Sequence, residues 1–218
     1  MKTQELRPPC YFLEREYHQV YSMCTGKCAK FIGISLYPLA VVSVISNIFL
    51  FFPDFKTVYS AEDSQGLYRL TDEIKYMGGL LGGGILVLLP AIHIHSTGRK
   101  GCCGNRCGMC LSILFASLGV IGATYSGAVA LVALLHGPVC KVVGGDWERP
   151  FYNYTEKYLE NPDIWSVCEE PANIVEFNLG LFAILLVTAC LELLLCVSQL
   201  INGLFGCICG TCNHKEVA

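Results

Sequence analysis

Four long apolar runs restrict the folds that this sequence can adopt. The runs cover residues 31–52, 76–92, 109–135 and 177–205, and Glu192 is the one charged residue within them. Each covers the roughly 17 to 25 residues that a helix needs to cross about 30 Å of hydrocarbon. Helices and closed β-barrels satisfy every backbone hydrogen bond in lipid, and no segment shows the alternation of a barrel strand. We therefore predict an all-α membrane protein, folded as a four-transmembrane-helix bundle with a small disulfide-closed extracellular loop domain.

The composition of the chain agrees with this class and excludes several others. Of 218 residues, 53% are hydrophobic and 15% are charged, whereas a soluble domain has about 25% charged residues. The basic residues are too few and too dispersed to bind nucleic acid. No nucleophile triad, phosphate-binding loop or metal-enzyme cluster is visible. The sequence thus predicts a protein that is not an enzyme, needs no cofactor and has the lipid bilayer as its first partner.

The loops between the runs indicate how the bundle is oriented. The loop at 98–110 holds three basic residues and no acid, whereas the loop at 53–75 holds five acids against three bases. Loops rich in Lys and Arg remain in the cytosol. We therefore expect both termini in the cytosol and the large loop at 136–173 outside. Asn153 begins an Asn-Tyr-Thr glycosylation sequon in that loop, which fits a lumenal position.

The segments outside the helices follow from these assignments. Residues 1–22 are polar and lack the apolar stretch of a signal peptide, and Met23 is a second candidate start of translation. The predicted segments are a cytosolic tail at 1–28, the first helix at 29–52, a short outer loop at 53–75, the second helix at 76–95, a basic cysteine-rich cytosolic loop at 96–108, the third helix at 109–135, a large outer loop at 136–173, the fourth helix at 174–206 and a cytosolic tail at 207–218.

Most of the cysteines cluster at the predicted cytosolic face. Reducing conditions disfavour disulfides there, and thiols beside a membrane and basic residues are acceptors for S-palmitoylation. The alternative is zinc, because 107–110 and 209–212 are both C-x-x-C pairs. Of the 14 cysteines, the palmitoylation candidates are Cys24, Cys28, Cys102, Cys103, Cys107, Cys110, Cys207, Cys209 and Cys212.

The large outer loop holds two further cysteines, Cys140 and Cys168. They face an oxidising compartment, so we predict a disulfide between them, stabilising the loop by roughly 3 kcal/mol in the chain-entropy model. The loop is also rich in aromatic residues. These rings form either the core of a small folded domain or a surface that binds a partner.

Two kinds of residue within the runs predict contacts between helices. Asn47 and Glu192 are polar groups at membrane depth, where a carboxyl is costly unless it is neutral, paired or in a polar cavity. We expect Glu192 to hydrogen-bond a group such as Asn47 and so to specify packing; the alternative is a transport or sensing site. Small residues four apart let helices approach closely, within one bundle or, alternatively, in a homo-oligomer. The glycines at this spacing are Gly78, Gly79, Gly82 and Gly83.

Several motifs resemble those of the four-transmembrane L-six (L6) family, a tetraspanin-like tumour-antigen family. The similarity runs from Met23 to about Cys212. Cys102-Cys103-Gly104 lies in the small inner loop, whereas true tetraspanins carry this motif in the large outer loop. The motifs that carry the resemblance are MCTGKCA at 23–29, NIFLFFP at 47–53, GGLLGGG at 78–84, KGCCGNRC at 100–107, GPVC at 137–140, WSVCEEP at 165–171 and QLING at 199–203.

The resemblance implies a function that the residues alone do not give. Members of this family are organisers at the plasma membrane or endolysosomal membranes. The expected partners are integrins, receptors, transporters and related four-helix proteins, with effects on adhesion, migration and growth signalling. The alternative function is a small-solute transporter or sensor that uses Glu192.

Overall fold

The computed structural model describes residues 25–56, 59, 70–97, 106–152 and 155–209. Within these ranges, four helices are long and apolar enough to cross a membrane, which confirms the predicted fold class. We call them spans 1 to 4: Lys27–Leu50, Asp72–Ser96, Cys107–His136 and Ile174–Phe205. The chain is therefore a multi-pass membrane protein.

The helices extend beyond the apolar runs at most of their ends. Helix α1 covers Thr25–Leu50, α4 covers Arg106–His136 and α6 covers Ile174–Cys209. Backbone hydrogen bonds continue into the interface, where polar side chains are hydrated, so hydropathy alone places these ends too far inside. Pro38 lies within α1 without ending it, whereas Pro53 begins a separate 3-10 turn, Pro53–Phe55.

Span 2 departs from a plain α-helix. It consists of the short α2, Asp72–Lys75, then a π-helix, Gly78–Ile85, then α3, Leu86–Thr97. The π-helix follows Met77, whose backbone is left-handed with φ of 48°. Its glycines permit the unusual backbone, and π-helical turns recur at functional sites.

The bundle is packed around small buried residues. One cluster contains Ala29 and Leu36 of span 1, Val87 of span 2, Ala116 of span 3 and Cys196 of span 4. A second cluster lies toward the opposite end of the bundle, and it contains Leu50, Leu70, Ile74, Ala130, Ala133, Phe182 and Leu185. Spans 3 and 4 pack along one another more extensively than any other pair. Close helix packing through small residues is the usual solution in lipid, where no hydrophobic drive brings helices together.

The loop between spans 3 and 4 folds into a small domain, described at residues 137–152 and 155–173, which we call the outer-loop domain after its predicted position. Its strands β1, Cys140–Val142, β2, Trp147–Glu148, and β3, Cys168–Glu170, form an antiparallel sheet in the order β2-β1-β3. Lys141 lies opposite Trp147 on one side and Glu170 on the other. The remaining elements are α5, Thr155–Glu160, and a 3-10 helix, Pro162–Val167.

The predicted disulfide between Cys140 and Cys168 is confirmed. It joins β1 to β3, with the two Cα atoms 5.5 Å apart. Gly144 turns the β1–β2 hairpin with φ of 73°, a conformation that favours glycine. The disulfide thus links the two paired strands β1 and β3 covalently.

Candidate functional site

The aromatic residues of the outer-loop domain divide between its core and its surface. Phe151 and Tyr158 are buried with ring centroids 4.8 Å apart, and Trp165 donates a hydrogen bond of 2.7 Å from Nε1 to the carbonyl of Tyr158. The Tyr158 hydroxyl donates to the carbonyl of Leu134 at the end of span 3. Tyr152, in contrast, is 53% exposed. One subset therefore forms a core, as the first interpretation predicts, whereas Tyr152 lies on the surface of the domain.

Burial of Tyr158 predicts a loss of stability in alkaline solution. Burial raises the pKa of Tyr158 from 10.0 to about 12, so the folded state disfavours the phenolate. Stability from the neutral hydroxyl is complete below about pH 10 and is lost as the pH rises toward about 12. We expect circular dichroism of the purified protein to show an alkaline transition that shifts or weakens in Tyr158→Phe. An unchanged transition in this variant would contradict the assignment.

A buried ion pair anchors the outer-loop domain to span 2. Glu73 is buried on α2 and accepts a hydrogen bond from Nη2 of Arg149 at one carboxylate oxygen. Its other oxygen lies 3.1 Å from Nδ1 of His136, at the end of span 3. The Thr71 hydroxyl also accepts a 3.3 Å hydrogen bond from the amide of Val139. These contacts fix the domain relative to two spans.

No local feature of the sequence signals this anchor. Glu73 and His136 are 63 positions apart in the chain, and Glu73 and Arg149 are 76 apart. Each residue alone resembles an ordinary loop charge at a membrane interface. A pairwise signal across the two outer loops would be needed to find the contact.

The exposed surface of the outer-loop domain is both apolar and acidic. Val143 at the hairpin tip, Tyr152 and Leu159 are exposed. Nζ of Lys141 lies 4.0 Å from a carboxylate oxygen of Glu170, and Arg149 forms its ion pair with Glu73. Exposed carboxylates are provided by Asp146, Glu148, Glu160, Asp163, Glu169 and Glu170. A folded surface of this kind is suited to binding another protein.

The four predicted packing glycines all face other spans of the same chain. A Cβ atom at Gly82 would lie 2.6 Å from the carbonyl oxygen of Gly122 in span 3, and one at Gly78 would lie 2.9 Å from Cβ of Val129. At Gly79 and Gly83 it would lie 2.7 Å and 2.8 Å from atoms of Ser43 in span 1. These faces are therefore covered inside the bundle, and a second copy of the chain would have to use other surfaces.

Glu192 lies in a polar cluster within the membrane, but its partner is not Asn47. The Ser43 hydroxyl is 3.3 Å from one Glu192 carboxyl oxygen and 3.1 Å from the Thr188 hydroxyl. The other oxygen of Glu192 is buried without a hydrogen-bond partner among the atoms that the structure describes. Ser43 is therefore the residue that sequence analysis missed.

Asn47 instead binds the backbone of span 2. Its side-chain oxygen accepts a 2.8 Å hydrogen bond from the amide of Leu80. Leu80 is in the first turn of the π-helix, where backbone amides lack partners along the helix. Glu192 therefore bonds a polar group of span 1, as predicted, but that group is Ser43 and not the example Asn47, because span 2 presents this amide to the Asn47 side chain. Asn47 and Glu192 both contribute to packing, through separate contacts.

The opposite end of the bundle holds a second polar seam. Gln199 in span 4 donates a 3.1 Å hydrogen bond to the Ser112 hydroxyl in span 3, and Asn202 donates one of 3.1 Å to Gln199. A Cβ atom at Gly203 would lie 3.0 Å from the Ser112 hydroxyl. Spans 3 and 4 are thus held together closely at this end.

Beyond this seam, Cys110 and Cys207 form a disulfide, with Cα atoms 5.0 Å apart. The prediction that both are free acceptors for palmitoylation does not hold in this disulfide-bonded state, because a disulfide sulfur has no thiol. The physical reason is that helices α4 and α6 converge here and place the two sulfurs in contact.

The other palmitoylation candidates are divided between described and undescribed positions. Cys28 and Cys107 have free thiols, and Cys107 is exposed. Cys24, Cys102, Cys103 and Cys212 lie outside the described residues, and the side chain of Cys209 is not described. The glycosylation candidate Asn153 also lies outside the described residues. Within the described part of the chain, no three His, Cys, Asp or Glu residues are grouped to hold a metal ion.

Comparison with known proteins gives consistent similarities. The family model described as L6 membrane protein matches residues 23–213. Transmembrane 4 L6 family member 4 of Rattus norvegicus is 44% identical over 199 residues, covering 88% of this chain and 95% of that protein. Member 1 of Mus musculus is 40% identical over 202 residues, covering 89% and 98%. No solved structure matches the chain.

The comparisons do not single out one member of that group. The sequence motifs look most like those of member five, and member 5 of Homo sapiens is 38% identical over 199 residues, covering 89% of this chain and 98% of that protein. This identity is no higher than the values for members 4 and 1. The similarity is therefore to the group as a whole.

Proposed function

The chain belongs to the L6 membrane protein family, and from this membership we propose that it is a non-enzymatic membrane organiser. It gathers integrins, receptors, transporters or related four-helix proteins into clusters, and it thereby affects adhesion, migration and growth signalling. The outer-loop domain and the exposed helix faces make the contacts. The protein acts at the plasma membrane and at endolysosomal membranes.

The observation that carries this proposal is the rigid display of the outer-loop domain. The domain is closed by the Cys140–Cys168 disulfide and anchored to the bundle by Arg149 and Glu73. It exposes Val143 and Tyr152 in an acidic surrounding. Because the anchored domain loses little conformational freedom on binding, such a surface supports specific contacts with a partner.

The proposed orientation places both termini in the cytosol. It is supported by the basic loop at 98–110 and by the sequon at Asn153, which would carry a glycan on the outside. In this orientation Cys28 and Cys107 lie at the cytosolic face with free thiols, which are acceptors for palmitate. Acylation there would favour co-clustering with other lipid-modified proteins.

Substitution of Tyr152 tests the proposed surface. We expect Tyr152→Ala to lower the yield of outer-face cross-links to partner proteins in native membranes by about tenfold, the loss expected when an aromatic hot spot worth about 1.4 kcal/mol is removed. Tyr76→Ala is the matched control, because Tyr76 is 59% exposed but lies outside the outer-loop domain. Cross-linking with quantitative mass spectrometry measures the yield. Equal yields from Tyr152→Ala and wild type would contradict the proposal.

A second function is favoured by one observation, the unpaired oxygen of buried Glu192 among the atoms that the structure describes. In a transporter or sensor, this carboxyl would bind the solute or a proton within the bundle. Solute flux into proteoliposomes that is lost in Glu192→Gln would support this function over the organiser. Absence of flux in wild-type proteoliposomes, with partner clusters intact in Glu192→Gln cells, would support the organiser.

A further inference from the structure

The two disulfides lie at opposite ends of span 3. Cys110 is in the first turns of helix α4, and Cys140 follows shortly after the helix ends at His136. A helix of 31 residues is about 46 Å long, which exceeds the roughly 30 Å of hydrocarbon in a bilayer. The two bonds are therefore on opposite sides of the membrane. Whichever way the bundle is inserted, one of them faces the reducing cytosol.

The helices that carry Cys110 and Cys207 are also held together by contacts other than the disulfide. The seam of Gln199, Ser112 and Gly203 holds spans 3 and 4 in contact next to the disulfide. Both cysteines are partly exposed and neither is enclosed in the core of the bundle. In addition, the free and exposed Cys107 precedes Cys110 by one helical turn. A disulfide in a reducing compartment can open and close repeatedly if the packing around it keeps the two thiols aligned after reduction.

We propose that Cys110 and Cys207 are a reversible redox-modification site on the cytosolic face, with peroxides as the oxidant and cytosolic monothiols of the glutathione class as the reductant. The inference rests on the orientation proposed above. It assigns to this pair a different role from Cys140–Cys168, which is a permanent structural bond on the oxidising side.

The chemistry of each direction balances. In oxidation, one cysteine thiolate attacks the peroxide and becomes a sulfenic acid, releasing an alcohol or water. The second thiol then displaces water, so two thiols and one peroxide give the disulfide, one alcohol or water, and one further water. In reduction, two monothiols donate their hydrogens through a mixed disulfide, giving two protein thiols and one oxidised monothiol disulfide.

The redox state of the pair controls whether these two sulfurs can be acylated. Palmitate forms a thioester with a thiol, and neither sulfur has a thiol while the bond is closed. The reduced pair therefore adds two acyl acceptors to the cytosolic face, and oxidation removes them. This consequence rests on the proposed acylation and is measured separately from the redox cycle.

The experiment follows the thiols of the full-length protein in intact cells at rest, after hydrogen peroxide, and after recovery in fresh medium. Free thiols are blocked with N-ethylmaleimide, disulfides are reduced, and the released cysteines are labelled with maleimide-polyethylene glycol. We expect wild type to gain two labels with peroxide and to lose them on recovery. Cys110→Ser and Cys207→Ser should lack this gain, whereas the control Cys190→Ser, which removes a free cysteine of span 4, should retain it.

Peptide mass spectrometry of wild type decides the result even if the serine variants do not fold. A cross-linked peptide joining Cys110 to Cys207 that appears with peroxide and disappears on recovery supports the proposal. A peptide that persists at rest and through recovery, or never forms, overturns it, as does cycling of Cys140–Cys168 instead. Hydroxylamine-sensitive acyl exchange at the same two residues tests the acylation step alone. If no acyl group is found there, the acylation step is wrong and the result for the redox cycle still stands.

Discussion

Arg149→Met is expected to destabilise the protein by about 3 kcal/mol, because it leaves the buried Glu73 carboxylate without its guanidinium partner. Glu73 has a side chain that is 6% exposed, and Arg149 is its direct ion-pair partner. His136 remains beside one carboxylate oxygen but cannot replace the guanidinium. The outer-loop domain should then detach from span 2 at lower temperature. Thermal unfolding in detergent and the rate of limited proteolysis of the loop measure the effect.

Two further variants distinguish the anchor from a general effect of lost charge. Lys141→Met removes a different base of the domain, but its 4.0 Å pair with Glu170 is exposed, so we expect a change below about 1 kcal/mol. The double variant Glu73→Gln with Arg149→Met removes both charges. It should be more stable than Arg149→Met alone, since no unpaired charge remains buried. Equal stability of Arg149→Met and Lys141→Met would disprove the anchor.

Gly82→Leu is expected to prevent correct packing of the bundle. A Cβ at this position would lie 2.6 Å from the carbonyl oxygen of Gly122 and 3.0 Å from the amide nitrogen of Ser126. These are backbone atoms of span 3, so relief requires the two helices to separate. The cost of such overpacking is about 1 to 3 kcal/mol or more, and we expect strongly reduced delivery to the cell surface.

Gly180→Leu provides the matched control for this substitution. Gly180 is exposed in span 4, and a Cβ atom there would meet no neighbouring residue within 4 Å among those that the structure describes. Surface delivery, measured by surface biotinylation, should be close to wild type for Gly180→Leu and low for Gly82→Leu. Similar delivery of both variants would mean that the close approach of spans 2 and 3 is not required for folding.

The residues that sequence analysis located correctly share a physical property. A membrane span is determined by the apolar run itself, since each helix meets the lipid separately from its neighbours. Cys140 and Cys168 could be paired because the outer loop contains no other cysteine. The glycines of span 2 indicate close packing through their spacing alone, although they do not indicate which span they meet.

The partners of the polar residues could not be found in the same way. Depth in the membrane makes Asn47 one possible partner of Glu192, but depth alone does not identify the partner. The rotation of span 1 instead brings Ser43 to Glu192, and the π-helix offers the Leu80 amide to Asn47. The pairing of Cys110 with Cys207 has the same origin, since it depends on where two helix ends converge.

Local segments of the chain were enough to establish the four spans, the disulfide of the outer loop and the family, because hydropathy, compartment and motif are local properties. The folded bundle was needed to show that Glu73, His136 and Arg149 anchor the outer-loop domain, and that Cys110 meets Cys207. These contacts join residues separated by 63 to 97 positions. They depend on the relative rotation and register of packed helices, which no single segment encodes.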